Sequence, residues 1–314
     1  VQDVTNPTVT VPADVTVNCQ DDNTSAATGV ATGSDNCSPV TITQSDASTQ
    51  NTDPSTPGYY NYTITRTWTS TDVSGNSSSA DQVITVQDVT NPSVTVPADV
   101  TVNCQDDNTS AATGVATGAD NCSPVTITQS DVSTQDPDPL VAGYYNYTIT
   151  RTWTSTDVTG NSSSADQIIT VQDVTNPTVS CPADVTVSCQ DDNTSAATGV
   201  ATGTDNCSPV TITQSDVSTQ DPDPLVAGHY NYTITRTWRS TDVTGNYSEC
   251  NQIVTVVNQT PPIALAHDFA TSLDSTGMIT VYPTDIDNAS HSICGGPFTL
   301  MISVTTPGAS VDFF

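Results

Sequence analysis

Apolar residues alternate with threonine, serine and other polar residues along most of the chain, the period-two pattern of strands with one buried face. Val9 and Val11 open the pattern, and Pro12 interrupts it as in an edge strand or one that changes sheet. Val15 and Val17 resume it, and Val30, then Val40 with Ile42, mark two further strands. Tyr60, Tyr62, Ile64, Arg66 and Trp68 share one face of a long strand, and Ile84 and Val86 follow on another. Clusters of Asp, Asn, Gly, Pro and Ser separate these runs and read as turns. Short alternating strands at this spacing predict an all-β fold, a sandwich of the immunoglobulin or fibronectin-III type. Leu, Ala, Glu, Lys and Met are scarce beside Thr, Val, Ser and Asp, which argues against long helices.

The same pattern recurs every 85 residues: QDVTNP begins at Gln2, Gln87 and Gln172, and Trp68 is repeated as Trp153 and Trp238. The period predicts three near-identical repeats, 1–85, 86–170 and 171–257, and a divergent fourth unit, 258–314, opening at Asn258-Gln-Thr-Pro-Pro. An odd number of long strands per repeat would carry the chain from pole to pole, giving an elongated rod of roughly 35–45 Å per repeat. Tandem copies supply length and multivalency rather than one active site. The fourth unit has no counterpart of the YTITRTW strand, which would bare an apolar edge of Ile279, Val281, Leu300, Ile302, Val304, Phe313 and Phe314. Such an edge calls for completion by more chain or by strands from another copy, and the second case would build a head-to-tail filament.

Charge narrows the function. Four arginines and no lysine face 34 acids, for a net charge of −30. Sequence-independent nucleic-acid binding and adhesion to anionic membranes both need a basic surface and are excluded. No run of 18 apolar residues exists for a membrane-spanning helix.

The run PADVTVSCQDD…TGTDNCSPVTIT…YTITRTWRSTDVTGNYSECNQIVTV in the third repeat resembles the hyalin-type and bacterial immunoglobulin-like repeats of large secreted Bacteroidetes-type surface adhesins and matrix proteins. The resemblance covers all three repeats and extends to the fourth unit through PPIALAHDF and YPTDIDNAS, with Ala266 where a cysteine is usual. It implies a non-catalytic extracellular protein on a bacterial cell surface, serving as a stalk, fibre or matrix element. The alternative is a carbohydrate- or protein-binding adhesin module whose specificity lies in 48–58, 133–143 and 218–228. The last two segments are identical (STQDPDPLVAG), which weighs against a different ligand for each repeat.

Nine cysteines without CxxC spacing point to disulfides in an oxidising compartment. The simplest pairing is within each repeat: Cys19 with Cys37, Cys104 with Cys122, and Cys189 with Cys207. It meets a difficulty if the first strand runs from pole to pole, because the two cysteines would then lie at opposite ends. Cys181 and Cys250 replace valine and alanine together, in one repeat only, which pairs them; the resemblance also implies a first-to-last-strand bond there. Cys294 is left free or bonded outside the chain.

Aspartate outnumbers glutamate 33 to 1. Short carboxylates suit both turns and calcium loops, and the two readings stand side by side. Asp14, Asp46 and Asp81 lack a companion motif and read as turn formers. The DVTNP linker (Asp3, Asp88, Asp173), the DNC loop (Asp35, Asp120, Asp205) and the TDV(S/T)GN turn (Asp72, Asp157, Asp242) form a different set. The linker would sit beside the last hairpin turn of the body that follows it. Matching DxTxP linkers and TDxxGN turns of giant bacterial adhesins bind interdomain calcium, so the resemblance implies calcium here.

Arg66, Arg151 and Arg236 share the strand face of the tryptophans and read as core residues, each paired with an aspartate across the sandwich. His229, His267 and His291 lie outside the repeat pattern and form no repeated Ser-His-Asp arrangement. Ser and Thr make up about a third of each repeat, the composition of glycosylated stalks. Partners expected from these readings are other copies of the chain and surface glycans or proteins.

Overall fold

A computed structural model of the chain describes residues 2–272, 275–276, 279–303 and 312–313. In the first repeat the alternating runs form β1 (Thr8–Thr10), β2 (Val15–Asn18), β3 (Thr32–Ser34), β4 (Val40–Ser48), β5 (Tyr62–Asp72) and β6 (Ser77–Gln87), with one helical turn, α1 (Ser25–Thr28). Four strands make one sheet in the order β2-β6-β5-β4, and β1 pairs with β3 in a second, smaller sheet. Neighbours in the large sheet are antiparallel except β2 and β6, which run parallel with Val15 opposite Ile84 and Asn18 opposite Gln87. The small sheet lies over β5, β6 and β4, giving the two layers of an all-β sandwich.

The other two repeats reproduce this order. In the second, β7 (Ser93–Thr95), β8 (Val100–Asn103), α2 (Ser110–Thr113), β9 (Thr117–Ala119), β10 (Val125–Ser133), β11 (Tyr147–Asp157) and β12 (Ser162–Gln172) follow each other. In the third, β13 (Thr178–Ser180), β14 (Val185–Ser188), α3 (Ser195–Thr198), β15 (Thr202–Thr204), β16 (Val210–Ser218), β17 (Tyr232–Asp242) and β18 (Tyr247–Val257) do the same. The chain divides into two compact units, 1–136 with 146–172, and 137–145 with 173–314.

Alternation sets the core. Along β5 the side chains of Ile64, Arg66, Trp68, Ser70 and Asp72 are buried in turn, and on β6 Gln82, Ile84 and Val86 meet them. Val15, Val17, Cys19 and Tyr62 close the apolar end around Ile64, Ile84 and Val86. Gln82 is fully buried, yet its amide donates to the carbonyls of Ala13 (3.1 Å) and Thr28 (2.8 Å), which ties α1 and the approach to β2 onto the sheet. Val30 is 62% exposed and lies outside the strands; β3 starts two residues later, because α1 takes up the intervening chain.

Gly33 of β3 lies close against the large sheet and its own partner strand. A Cβ there would lie 2.6 Å from Ser70 Oγ and 2.7 Å from the Thr8 carbonyl. Gly33→Ala is therefore expected to cost roughly 1–3 kcal/mol by overpacking, read as a lower denaturation midpoint. An unchanged midpoint would mean that the sheets can part there at no cost.

The described part of the fourth unit is sparser. Isolated bridges join Ile263 to His291 and Ala266 to Asp287, and β19 (Ile302–Ser303) pairs with β20 (Asp312–Phe313). Ile279 is 44% exposed. Val304 and Phe314 of the expected apolar edge lie outside the described residues.

Candidate cation sites at the repeat junctions

Asp88 stands at the start of the linker after β6. Its N–H donates to Asn61 Oδ1 of the preceding body (2.7 Å), and its carbonyl accepts from Asn161 Nδ2 of the following one (3.1 Å). Asn18 Nδ2 adds a bond to Thr90 Oγ1 (2.9 Å), so both bodies of this unit grip the linker.

Two further carboxylates converge on Asp88. Asp120, in the loop between β9 and β10, accepts the N–H groups of Cys122 (2.7 Å) and Ser123 (3.0 Å) on Oδ2. Asp157 closes β11 and takes the N–H groups of Gly160 (2.6 Å) and Asn161 (2.8 Å) on Oδ1, in a turn that Gly160 permits with φ of +99°. One oxygen from each of Asp88, Asp120 and Asp157 lies within 4.8 Å of the other two. Two oxygens bound to one calcium ion, each at about 2.4 Å, are separated by at most about 4.8 Å. The spacing therefore fits a shared ion.

Electrostatics favours the same conclusion. Asp88 is 4% exposed, and among the described residues no donor reaches its Oδ2, nor the buried Oδ1 of Asp120. The protein's four arginines are engaged elsewhere, with Asp46, Asp131, Asp216 and Glu249. Burial, helped by the charges of Asp120 and Asp157 and opposed by the N–H of Thr90, pushes the Asp88 carboxyl above its ordinary range. Burial also acts to raise Asp157, but hydrogen bonds from Asn161, Thr159 and Gly160 outweigh it and hold that group low.

The sign of the pH effect follows. A carboxyl whose folded pKa is raised binds its proton more tightly in the folded state, so its contribution to stability is lost as pH rises from the unfolded value through the folded one. In chelator, melting curves of the native protein and Asp88→Asn should therefore diverge over that window, the native protein losing relative stability as pH rises from about 4. Parallel pH profiles would show that Asp88 titrates unperturbed.

The other copies can be placed against this one. Asp173, Asp205 and Asp242 have one oxygen each within 4.8 Å of the others, and burial followed by the charges of Asp205 and Asp242 raises Asp173, while the N–H of Thr175 works against them. Asn246 Nδ2 bridges Asp242 Oδ2 (2.8 Å) and the Asp173 carbonyl (3.2 Å), as Asn161 does in the earlier trio. In the first repeat the group that closes to 4.8 Å is Asp3, Asp35 and Cys37. Asp72 is attached to it through Asn76, which donates to Asp72 Oδ2 (2.8 Å) and to the Asp3 carbonyl (3.2 Å).

The cysteines correct the intra-repeat pairing. Cys19 is bonded to Cys122 in the next repeat, with Cα atoms 6.1 Å apart, and Cys37 is a free, exposed thiol. Cys189 is bonded to Cys294, which is therefore neither free nor bonded outside the chain; Cys104 and Cys207 are also in disulfides. The reason is the parallel strand. β2 ends beside the last residue of β6, where Cys19 N donates to the Gln87 carbonyl (3.0 Å). Cys37 precedes β4, whose first residue Val40 faces Asp72, the last residue of β5. The two cysteines therefore lie at opposite ends of a sheet whose long strands have 11 residues, a length of about 35 Å. The Cys19–Cys122 sulfurs lie within 4.8 Å of the Asp88 carboxylate, so bond and carboxylates occupy one junction. Cys181 and Cys250 are bonded to each other, Cα to Cα 6.0 Å.

Asp46 is no turn former. It sits in β4 opposite Arg66, and its carboxylate receives Arg66 Nε and Nη2 at 2.8 Å each. The partner is thus on the adjacent strand of the same sheet rather than across the sandwich. Asp14 and Asp81 also bond across strands, to Val83 N and Thr67 Oγ1.

No protein-family model and no curated protein matches the chain. Solved structures that align with it include Drosophila N-cadherin EC1-4, at 12% identity over 81% of this chain and 76% of that one, with a TM-score of 0.28. Mouse cadherin-23 EC22-24 aligns at 13% identity over 81% and 99%, with a TM-score of 0.30. The chain spans 46% of the protocadherin gamma B2 EC1-5 structure, at 12% identity and a TM-score of 0.29.

Proposed function

We propose that the chain is a non-catalytic extracellular structural protein, a stalk or fibre segment of a bacterial surface whose repeat junctions are stiffened by calcium. The observation that carries this reading is the buried Asp88 Oδ2, which no donor among the described residues reaches, inside a three-carboxylate cluster that no basic residue neutralises. Hard oxygen donors from a linker, a loop and a hairpin turn are the ligand set calcium accepts in flexible geometry, and magnesium demands a tighter octahedron. An ion there joins the linker to the body that follows, and the Cys19–Cys122 bond joins that body to the one before. The disulfides support an oxidising, extracellular setting, the hyalin-type resemblance supports a bacterial surface, and the Ser/Thr-rich composition supports glycosylation.

Self-association is part of the proposal. The described portion of 258–303 exposes the apolar side chains of Leu265, Phe269, Ile279, Tyr282 and Met301, which contact with the next copy in a head-to-tail fibre would cover. Electron microscopy of the native material is expected to show beaded, extended particles that lengthen with concentration. Compact particles of one size at every concentration would overturn the fibre reading.

A further inference from the structure

We propose that β10 and β16, the long open edges of the second and third repeats, are lateral docking strands, and that their occupant is a strand of the same sequence in a second copy of this chain. The large sheet of each repeat ends on one side in a four-residue strand, β8 or β14, and on the other in a nine-residue one, β10 or β16. Among the described residues no strand pairs with the outer side of β10 or β16. Such an edge presents a row of unpaired N–H and C=O groups, which proteins ordinarily blunt with lysine, proline, a bulge or a bare charge. β10 has none of these. Val125–Ser133 contains neither lysine nor proline and stays in register with β11 through all nine residues. Its one acid, Asp131, accepts Arg151 Nε and Nη2 at 2.8 Å each. β16 repeats the sequence, the register and the ion pair, through Asp216 and Arg236.

The side chains mark the same edges. Val132 is 69% and Val217 70% exposed, where β4 of the first repeat has Ala47. A β-branched apolar residue on a sheet gains its packing from a cross-strand neighbour, which an open edge lacks.

Two features select a second copy as the occupant. The first is charge: with a net charge of −30 most of the surface repels another copy, but along these strands the single carboxylate is neutralised by its arginine. The second is that the strand complements itself. Antiparallel pairing about the central residue, Gln129 in β10 and Gln214 in β16, is the register that pairs all nine residues. It sets each valine opposite a threonine and glutamine opposite glutamine, and it puts each aspartate opposite an isoleucine rather than another acid. β10 and β16 are identical, so either can meet either. The contact is lateral and would thicken a fibre, where the head-to-tail contact lengthens it, and it requires no ion.

Cysteine cross-linking of the full chain tests the proposal, with Cys37→Ser introduced throughout to remove the free thiol. Under mild oxidation Gln129→Cys/Gln214→Cys is expected to give linked chains of at least doubled mass, the new cysteines bonded to each other between copies. Ser79→Cys/Ser164→Cys, at two exposed positions on interior strands of the sheets, should link at least tenfold more slowly. Adding Val132→Asp/Val217→Asp to the first protein should slow its linkage by a similar factor. Linkage no faster than in the control, or unchanged by the aspartates, would overturn the proposal. Fibres that still lengthened with concentration in that case would leave the head-to-tail reading standing.

Discussion

Calcium at about a hundred times its Kd is expected to raise the melting temperature by roughly 5–10 °C over that in chelator, because an ion that binds only the folded junction adds about 2.7 kcal/mol at that concentration. Asp88→Asn should reverse its sign with the ion. In chelator the substitution removes one of three crowded negative charges (Asp88, Asp120, Asp157) and is expected to leave stability unchanged or higher. In calcium it removes a ligand and should lose most of the gain at that junction. Magnesium at the same concentration should restore little, since its smaller octahedral shell holds its waters. Differential scanning calorimetry across the four combinations of ion and variant reads all of this. A substitution equally harmful with and without calcium would identify Asp88 as a purely structural residue.

Replacing Arg66, Arg151 or Arg236 with methionine is expected to be the most destabilising single change in its repeat, about 3 kcal/mol or more. Arg66 is 2% exposed and spends its donors on Asp46 Oδ1 and Oδ2, Thr28 Oγ1 (2.8 Å) and the Asn23 carbonyl (3.1 Å). It thereby pins the α1 loop to the large sheet. The guanidinium beside it holds the Asp46 carboxyl below the usual range, so this pair's contribution is present above the ordinary carboxylate value and fades as pH falls through the lowered one. Lysine should rescue poorly, because a point charge cannot bind a carboxylate bidentately while reaching the loop. Arg66→Met combined with Asp46→Leu should recover part of the loss. Urea denaturation gives the values, and a cost below about 1 kcal/mol would place Arg66 among surface ion pairs.

The sequence made the sheet legible where alternation is strict. The Ile64–Arg66–Trp68 face and the Ile84–Val86 face are buried as their period of two requires. Val30 misled because it falls in the turn between the end of α1, at Gly29 with φ of +103°, and the start of β3 at Thr32. The linker, loop and turn aspartates stood out by recurring every 85 residues, and the structure brings Asp88, Asp120 and Asp157 together. The partners of the cysteines that recur in every repeat were not legible, since near-identical repeats offer every register of pairing equally. Only the parallel β2–β6 pair places Cys19 at the end facing the next repeat. Asp46 was hidden likewise, for its role depends on the β4–β5 register that sets it opposite Arg66.

Isothermal titration of the intact chain with calcium, beside Asp120→Asn, tests the junction sites most directly. Asp120 is the suitable probe because its Oδ2 holds the loop while its buried Oδ1 has no donor among the described residues. The native protein should bind calcium saturably with Kd of about 10⁻⁵–10⁻³ M, as extracellular and sensor sites do, and the variant should bind one ion fewer with the remaining sites unaltered. Equal stoichiometry in the two proteins, or no saturable binding in either, would contradict the account.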